Sequence, residues 1–591
     1  MLLLLLQIGP RRSRAALLPY RIPKRTLAIT MTNSNLLKQA FILVIACASL
    51  LALPWLERPF HTRGEPREAL VAQSMLKTGN WISPPAYDGA VPSKPPFSHW
   101  LIAIASLPGG EVTEATSRLP SAVAIIVFSA AFFAFLSKRV SQDVALATSL
   151  ILLSSSEWFR AASTCRVDTI LATSMAGAML ALYAWWERDF KGIPWLALVL
   201  TSFAALTKGP VGIVLPVGLF SLFCWIRSGA GARILFPIAL RGLYVAVPVA
   251  LIVSIWYILG YLDRGEAFID KIRYENFERF TSQMADEPHK HSAAYMVGML
   301  LLGLLPWSIP LILAALSALR RGDLSLKGVL QKYLTNWRSL SPLYQYSWIV
   351  SLGVFVFFCI PSSKRSVYLL PMYPCVALLI EGALRRIATH AANFFTIPAK
   401  IITASAAFIL VCAVVLNITK FSGVSLDPSA LLESMRVTKL LSVLLIPALI
   451  LWLANQVSRE AFNRPVEKLA GAVLLAVVAI SFFVYDSVAW QLSPKKWLND
   501  PALVKVLNSE PNPRLLSFGS EAYGASFYLE RPFSRAVPGG DIPTGSLVFM
   551  EARKLQDFQQ QLGLRSEEVI RYSSGVESSK KDLVVVRVVG G

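Results

Sequence analysis

The 591-residue sequence predicts an α-helical polytopic membrane protein that ends in a small soluble α/β domain. Hydrophobic residues make up 54% of the chain and charged residues only 16%, well below the roughly 25% of soluble domains. Long apolar runs recur between polar loops, and nearly all of the formal net charge of +21 falls among them rather than in the last hundred residues. This composition excludes a disordered chain, and the charge pattern is typical of cytoplasmic loops rather than of a nucleic-acid-binding surface.

The N-terminal segment differs from an ordinary targeting sequence. A short leucine run at 1–7 precedes a series of basic residues, whereas a signal peptide carries its positive charge before the apolar run. We therefore interpret residues 1–36 as a basic leader that is either disordered or upstream of the true start. A membrane domain is predicted over 37–490 and a soluble domain over 491–591.

The membrane domain is predicted to cross the bilayer about 13 times, because about 20 apolar residues in a helix span a hydrocarbon core about 30 Å thick. Basic residues concentrate in every second loop, which places those loops in the cytoplasm. The other loops, including long ones at 57–118 and 263–293, and the C-terminal domain then lie outside. The predicted spans are 39–56, 119–137, 143–159, 168–186, 194–207, 210–226, 243–262, 294–318, 346–360, 367–384, 399–418, 438–456 and 469–488.

Local patterns predict further elements outside the spans. In the first outer loop, helices are expected at 66–78 and 97–107, with Pro66 in the first turn of one helix and Gly79 at its end. Both helices could lie in the membrane interface. The soluble domain is predicted to have strands at 514–518, 526–529, 546–550 and 583–589, a helix at 554–562, and turns at 511–513 and 539–540.

Two acidic residues are the leading catalytic candidates, because carboxylates at membrane depth are costly and usually functional. Asp168 begins an apolar helix on the predicted outer side, and Glu65 directly precedes Pro66. Capping of a helix N-terminus explains either residue equally simply. The neighbouring Arg67 and Glu68 are also consistent with a solvated helix face.

Three outer loops carry lysine, although positive charge is disfavoured in short outer loops. Lys94 precedes two prolines that stiffen the chain, Lys208 lies between two spans, and Lys364 is followed by Arg365. Together they predict a site for a phosphate, although a lysine that reaches along the bilayer to the interface is an alternative for Lys94. A polyprenyl-phosphate-linked sugar fits such a site, since its tail stays in the bilayer while lysines stabilise the leaving phosphate.

The order and spacing of several motifs resemble the GT-C membrane glycosyltransferases, most closely the superfamily of the aminoarabinose transferase (ArnT) and the protein mannosyltransferases. The resemblance covers most of 39–490 and continues into the tail. The motifs are Gly64-Glu65-Pro66-Arg67-Glu68 with Met75-Leu76 and Gly79-Asn80-Trp81, Ser93-Lys94-Pro95-Pro96 with His99-Trp100-Leu101, Ser117-Arg118-Leu119-Pro120-Ser121, Arg166-Val167-Asp168, Leu206-Thr207-Lys208-Gly209-Pro210, Glu275-Asn276 with Arg279-Phe280 and Leu304-Leu305-Pro306-Trp307, Ser363-Lys364 with Tyr368-Leu369-Leu370-Pro371, and Tyr523 with Phe527-Tyr528-Leu529.

The resemblance implies a GT-C-like fold and an enzyme of the bacterial inner membrane. Such enzymes move a sugar from a polyprenyl-phosphate carrier to a lipid, glycan or protein acceptor on the periplasmic side. On this basis Glu65 and Asp168 are interpreted as catalytic or acceptor-orienting acids. The residues interpreted as donor-phosphate ligands are Arg67, Lys94, Lys208, Lys364 and Tyr368.

Two positions depart from the family pattern. Gly64 stands where the family has an aspartate, so Glu65 is interpreted as its substitute, and Ser93 stands where many members have a glutamate. In ArnT-like members that glutamate and a histidine of the later outer loop can hold a metal. No cofactor is therefore certain, and a divalent metal at His289 or His291 stays open beside their interpretation as polar loop residues. The sequence is that of a divergent member whose sugar and acceptor the motifs do not specify.

A transporter or flippase for a lipid-linked sugar is the main alternative, since it would use the same outer lysines without breaking a bond. Transporters often contain internal repeats and place their sites near the bilayer midplane. No clear repeat is present, and the polar candidates gather at one face. A non-catalytic scaffold is the third interpretation, which the loss of aspartate at Gly64 keeps open.

Overall fold

A computed structural model describes most of the membrane domain and of the C-terminal domain. The described residues are 34–62, 64–85, 94–274, 291–320, 337–361, 363–390, 398, 400–403, 405, 465–480, 493–509, 513–519, 522–537, 539–540, 542–572 and 583–590. Residues 1–33 of the predicted leader, His289, the predicted span 438–456 and most of the span 399–418 lie outside them. Most of the described residues form helices, as the apolar runs predict.

The helices in chain order are α1 (Ser34–Ala52), α2 (Gly64–Thr78), α3 (Phe97–Ser106), α4 (Glu114–Ser137), α5 (Gln142–Leu153), α6 (Ser156–Ala162), α7 (Val167–Glu187), α8 (Trp195–Lys208), α9 (Val211–Arg227), α10 (Leu235–Arg264), α11 (Glu266–Arg273), α12 (Ala293–Gly303), α13 (Ser308–Arg320), α14 (Pro342–Cys359), α15 (Tyr373–His390), α16 (Pro465–Ile480), α17 (Pro494–Leu498), α18 (Pro501–Ser509), α19 (Tyr523–Leu529) and α20 (Leu555–Leu562). Short 3₁₀ helices cover Leu53–Trp55, Ala232–Ile234, Trp337–Ser339, Ser366–Met372 and Ala552–Lys554.

The chain is a multi-pass helical membrane protein. Within the described residues, six segments are long and apolar enough to cross a bilayer: Leu37–Trp55, Glu114–Ser137, Val167–Glu187, Ala232–Arg264, Pro342–Cys359 and Ser366–Ala388. Five shorter apolar helices accompany them: α3, α5, α8, α9 and α12. The predicted number of 13 spans stays a prediction.

Two predicted spans are each divided into two helices. The predicted span 143–159 breaks after Leu153, where the Ser154 hydroxyl donates to the carbonyl of Leu150 at 2.6 Å and accepts the Trp307 indole N–H at 3.0 Å. The predicted span 294–318 breaks between α12 and α13, around Pro306, which has no N–H to continue a helix. A hydropathy pattern cannot detect these breaks, because the residues on both sides are apolar.

The two outer helices form where the sequence predicts them. Helix α2 ends at Thr78, and Gly79 follows with φ of +69°, a left-handed conformation that suits glycine. Its buried face carries Ala69, Ala72 and Met75, which share a cluster with Ile102 of α3. The polar face of α2 is thereby turned toward the helices that follow.

Helices α8 and α9 form a tight hairpin that places Lys208 at its turn. A Cβ atom on Gly212 would lie 2.4 Å from the backbone carbon of Ala204, so only glycine permits this approach. Close contact through small residues is typical of helix packing in membranes. Gly209, with φ of +77°, ends α8 directly after Lys208.

The C-terminal domain contains a five-stranded mixed sheet. The strands are β1 (Leu515–Phe518), β2 (Ser534–Arg535), β3 (Leu547–Glu551), β4 (Arg565–Tyr572) and β5 (Leu583–Gly590), in the order β2-β1-β3-β5-β4. β1 is parallel to β2 and β3, whereas β5 is antiparallel to β3 and β4. The predicted α/β character, three of the predicted strands and the helix at 554–562 are confirmed.

One predicted strand is wrong, because residues 526–529 belong to helix α19. A short apolar run does not by itself distinguish a strand from a buried helix. Here the aromatic residues pack against the first outer loop instead of joining the sheet: the Phe527 ring lies 4.9 Å from the Phe60 ring. Strands β2 and β4 are not among the predicted elements.

Candidate active site

Five charged residues come together where α2, α7, α8 and the segment before α3 meet. Asp168 lies in the first turn of α7, and Lys208 is the last residue of α8. Arg67 and Glu68 lie on α2, and Lys94 precedes α3 by three residues. We call Arg67, Glu68, Lys94, Asp168 and Lys208 the charged cluster. The structure thus unites four of the residues that the sequence singles out as site residues.

Asp168 and Lys208 form the central ion pair of the charged cluster. The Lys208 ammonium donates to Oδ1 of Asp168 at 2.5 Å, and the aspartate side chain is only 9% exposed. The same ammonium lies 4.1 Å from the ring centroid of Tyr368, a cation–π distance. Arg166 occupies the N-cap position of α7, so Asp168 acts as an ion-pair partner in the first turn rather than as the cap.

Lys94 contributes a second ammonium beside this pair. Its charge interacts with those of Arg67, Lys208, Glu68 and Asp168. Burial, reinforced by the Arg67 and Lys208 cations, lowers the pKa of the Lys94 ammonium to about 8. In the part of the chain that the structure describes, no carboxylate or carbonyl oxygen accepts a hydrogen bond from this ammonium. It is therefore available to an anionic ligand.

Glu68 and His99 form a buried pair that the sequence patterns do not reveal. Oε2 of Glu68 lies 2.6 Å from Nε2 of His99, and the two side chains are 5% and 6% exposed. The Arg67 Nε donates to the other carboxylate oxygen of Glu68 at 3.1 Å. Burial raises the pKa of Glu68, but Arg67, Lys94 and His99 together hold it well below its usual range. The interpretation of Glu68 as part of a solvated face is therefore wrong.

Glu65 lies in a closed polar network. Its side chain is fully buried, and Oε1 accepts hydrogen bonds from Nε of Arg118 at 2.7 Å and from the amide of Cys165 at 3.2 Å. Oε2 accepts the Thr62 hydroxyl at 3.1 Å. Burial raises the pKa of Glu65, yet Arg118, His61 and these hydrogen bonds lower it overall. Every oxygen of this carboxylate is occupied by the protein.

Arg166 connects Glu65 with the charged cluster. Its guanidinium interacts with the charges of both Asp168 and Glu65, so the two predicted acids lie on the same side of the membrane domain. A Cβ atom on Gly64 would lie 3.5 Å from Nη2 of Arg166. The position at which the family pattern has an acid therefore faces this arginine.

Lys364 donates a hydrogen bond within its own loop. Its ammonium donates to the carbonyl of Pro361, three residues earlier in the same loop, and the residue is 5% exposed. A role for Lys364 as a phosphate ligand stays a prediction. Tyr368, four residues later, does reach the site through its contact with Lys208.

The predicted metal ligands lie in or beside the later outer loop. His289 is outside the described residues, and His291 is exposed and stacks on Tyr295 with ring centroids 4.0 Å apart. No group of three or more His, Cys, Asp or Glu side chains that could hold a metal occurs within the described ranges. A metal at this site stays a prediction.

The C-terminal domain reaches the outer loop through α19. The hydroxyl oxygen of Tyr528 accepts the backbone N–H of Phe60 at 2.7 Å, and Tyr523 at the start of α19 acts electrostatically on Arg67. The predicted soluble domain therefore borders the charged cluster. Sequence position alone gives no sign of this contact, because Tyr523 and Arg67 lie at opposite ends of the chain.

Comparison with known proteins gives three kinds of similarity. The sequence model of the dolichyl-phosphate-mannose-protein mannosyltransferase family matches residues 93–256. An undecaprenyl phosphate-alpha-4-amino-4-deoxy-L-arabinose arabinosyl transferase of Shewanella sediminis is 29% identical over 360 residues, which is 58% of this chain and 59% of that protein. The corresponding transferase of Aeromonas hydrophila is 26% identical over 382 residues, 63% of this chain and 64% of that protein.

An uncharacterized protein of Aquifex aeolicus is 29% identical over 318 residues, 52% of this chain and 56% of that protein. The chain thus matches between 56% and 64% of the length of these three relatives. In three dimensions it resembles ArnT from Cupriavidus metallidurans bound to undecaprenyl phosphate, with a TM-score of 0.62, 17% identity, and coverage of 93% of this chain and 98% of the other. This similarity shows a shared fold.

Proposed function

We propose that this chain, which is an ArnT-like member of the GT-C membrane glycosyltransferases, transfers a sugar from a polyprenyl-phosphate carrier to an acceptor. The relatives from Shewanella and Aeromonas are named for undecaprenyl-phosphate-linked arabinose, and the structural neighbour binds undecaprenyl phosphate. Their donor class fits the site described above. The sugar of this chain need not be theirs, because Gly64 and Ser93 replace acids of the family pattern.

The observation that carries the proposal is an excess of positive charge in the charged cluster. Arg67, Lys94 and Lys208 supply three cations, whereas Glu68 and Asp168 supply two anions. Glu68 and Asp168 act on the charge of the Lys94 ammonium but leave the cluster with one cation in excess. An anion stabilises such an excess cation, so a phosphate that completes the charge balance is the ligand that this arrangement favours.

The distribution of basic loops supports a periplasmic site. Helix α7 begins next to Asp168 and ends at Glu187, after which come Arg188 and Lys191, part of the basic set of loops. The positive-inside rule assigns that end to the cytoplasm. Asp168 and the charged cluster at the opposite end of α7 then face the periplasm of a bacterial inner membrane.

Each member of the charged cluster has a proposed part in transfer. Lys94 and Arg67 bind the phosphate of the donor, whose charge grows as the bond to the sugar breaks. Lys208 adds positive charge near the same phosphate, and Asp168 and Tyr368 hold its ammonium in place. Glu65 is proposed to organise the first outer loop through Arg118, since both of its oxygens are occupied by protein donors.

Release of undecaprenyl phosphate tests the proposal directly. Purified protein is added to membranes of a strain that lacks it, and mass spectrometry follows carrier release and sugar incorporation. Acceptor-dependent release supports a transferase, whereas movement of the intact lipid-linked sugar without release would favour a flippase. Lys94→Met should lower release at least about tenfold through loss of a charge-assisted contact, while Lys138→Met at the exposed end of α4 should not.

The depressed pKa of Lys94 predicts a pH dependence of donor binding. Below about pH 8 the ammonium is charged and attracts phosphate, and above that value the charge is lost. Affinity for undecaprenyl phosphate should therefore fall about tenfold between about pH 7 and about pH 9. Lys94→Arg should bind independently of pH over this range because arginine stays charged. A wild-type affinity that stays flat over the same range would contradict a role for Lys94 in binding.

A further inference from the structure

We propose that His99, oriented by Glu68, accepts a proton from the acceptor, and that the acceptor is therefore a hydroxyl compound. This inference rests on the proposed glycosyltransferase function. It concerns two residues that the predicted site does not contain, one on α2 and one on α3. Neither residue is needed to bind a phosphate, so their burial beside the charged cluster calls for a separate explanation.

The geometry of the pair indicates which ring nitrogen of His99 carries the hydrogen that faces Glu68. Glu68 is a carboxylate, because Arg67, Lys94 and His99 hold its pKa well below its usual range. A carboxylate can only accept, so Nε2 of His99, at 2.6 Å from Oε2, carries the hydrogen. In the neutral ring the lone pair then lies on Nδ1. Within the described ranges no donor is bound to Nδ1, which leaves it available as a base.

Glu68 is itself held in place by the charged cluster. Its other oxygen, Oε1, accepts Nε of Arg67 at 3.1 Å, and the same carboxylate interacts with the Lys94 ammonium. Glu68 therefore links the proposed phosphate ligands to His99. We assign Glu68 as a positioning residue and His99 as the group that contacts the acceptor. A carboxylate that fixes the tautomer of a histidine base is an arrangement known from unrelated enzymes.

The two acids expected from sequence to act in catalysis are less suited to take a proton. Asp168 is bound to the Lys208 ammonium at 2.5 Å. Glu65 accepts hydrogen bonds on both oxygens and is fully buried. A carboxylate in such contacts is a weak base, because protonation would break them. His99, whose Nε2 is held by Glu68, is the side chain that we assign as the base in this part of the site.

The proposed step conserves atoms and charge. The O–H bond of the acceptor breaks and its proton passes to Nδ1 of His99. The acceptor oxygen bonds to the anomeric carbon of the sugar while the bond from that carbon to the phosphate oxygen breaks. The electron pair of that bond leaves with polyprenyl phosphate, whose charge Lys94 and Arg67 bind. An acceptor that is itself a phosphate would arrive deprotonated and would need no base.

The variant His99→Gln separates the chemical role from a packing role. A glutamine amide can donate to Glu68 as Nε2 does, but it has no basic nitrogen. In the membrane assay for undecaprenyl phosphate release, we expect transfer by this variant to fall about 100-fold or more with unchanged affinity for undecaprenyl phosphate.

Glu68 provides the second variant pair. Glu68→Gln should lower transfer, and Glu68→Asp, which keeps a carboxylate, should restore part of the activity. Glu187→Gln, on a partly exposed ion pair with Arg139, serves as the matched control.

The linkage of the product decides the acceptor class. Mass spectrometry of the glycosylated product, before and after mild acid, distinguishes a glycoside from an acid-labile glycosyl phosphate. A glycoside together with an inactive His99→Gln variant supports the inference. A glycosyl phosphate, or a His99→Gln variant with the wild-type rate, overturns it and leaves the glycosyltransferase function standing. If the wild-type protein releases no undecaprenyl phosphate, the proposed function itself fails.

Discussion

Replacing Asp168 with asparagine is expected to lower the rate of undecaprenyl phosphate release by about 100-fold or more while the protein stays folded. Asp168 holds the Lys208 ammonium at 2.5 Å, and Tyr368 contacts that ammonium from the other side at 4.1 Å. An asparagine would leave the ammonium uncompensated and free to move. The positive charge that stabilises the leaving phosphate would then be displaced while the bond between sugar and phosphate breaks.

Asp143 supplies the control for this variant. It also lies in the first turn of a membrane helix and pairs with an arginine, Arg385, at 3.1 Å, but at the opposite, basic end of the domain. Asp143→Asn should keep most of the activity per folded molecule. Lys208→Met should lose about as much activity as Asp168→Asn, and the double variant little more, since the two side chains act as one unit. Near-wild-type release by Asp168→Asn would remove this ion pair from the mechanism.

The second large effect is expected for stability when Arg118 is replaced by methionine. Arg118 is 1% exposed, and its guanidinium bonds the Glu65 carboxylate and the backbone carbonyls of Trp55 and Leu56. Without it a fully buried carboxylate loses its cation. Breaking one partner of a buried ion pair costs about 3–5 kcal/mol, so thermal unfolding of the detergent-solubilised protein should shift to a markedly lower temperature.

Comparing Arg118→Met with a variant that breaks a partly exposed ion pair shows whether burial causes the large loss of stability. Arg139→Met removes an ion pair with Glu187 that is partly exposed, and should cost about 1 kcal/mol or less. Glu65→Gln then tests the role expected from sequence for this acid. An anchoring role predicts a lower unfolding temperature with near-normal transfer per folded molecule, whereas a catalytic role predicts normal stability with slow transfer.

The membrane class, the positions of most helices and the two outer helices follow from the amino-acid sequence. These features depend on local hydrophobicity, on prolines and glycines at helix ends, and on the charge of adjacent loops. The sequence also indicated the motifs of Lys94, Asp168 and Lys208, because charged residues next to apolar spans are conspicuous. The breaks within two spans and the helix at 523–529 were missed, since apolar runs on either side look alike.

The pairing and the burial of the charged residues become visible in the three-dimensional fold. From the sequence Glu68 resembles a surface residue, but in the fold it contacts His99, which lies 31 positions later in the chain. From the sequence Glu65 resembles a helix cap. In the fold its carboxylate accepts hydrogen bonds from Arg118, 53 positions away, and from the amide of Cys165, 100 positions away. Burial and pairing depend on contacts between distant segments, and the spacing of residues along one chain does not encode those contacts. For the same physical reason, the sequence motifs include His99 and Glu68 but do not reveal that the two side chains pair.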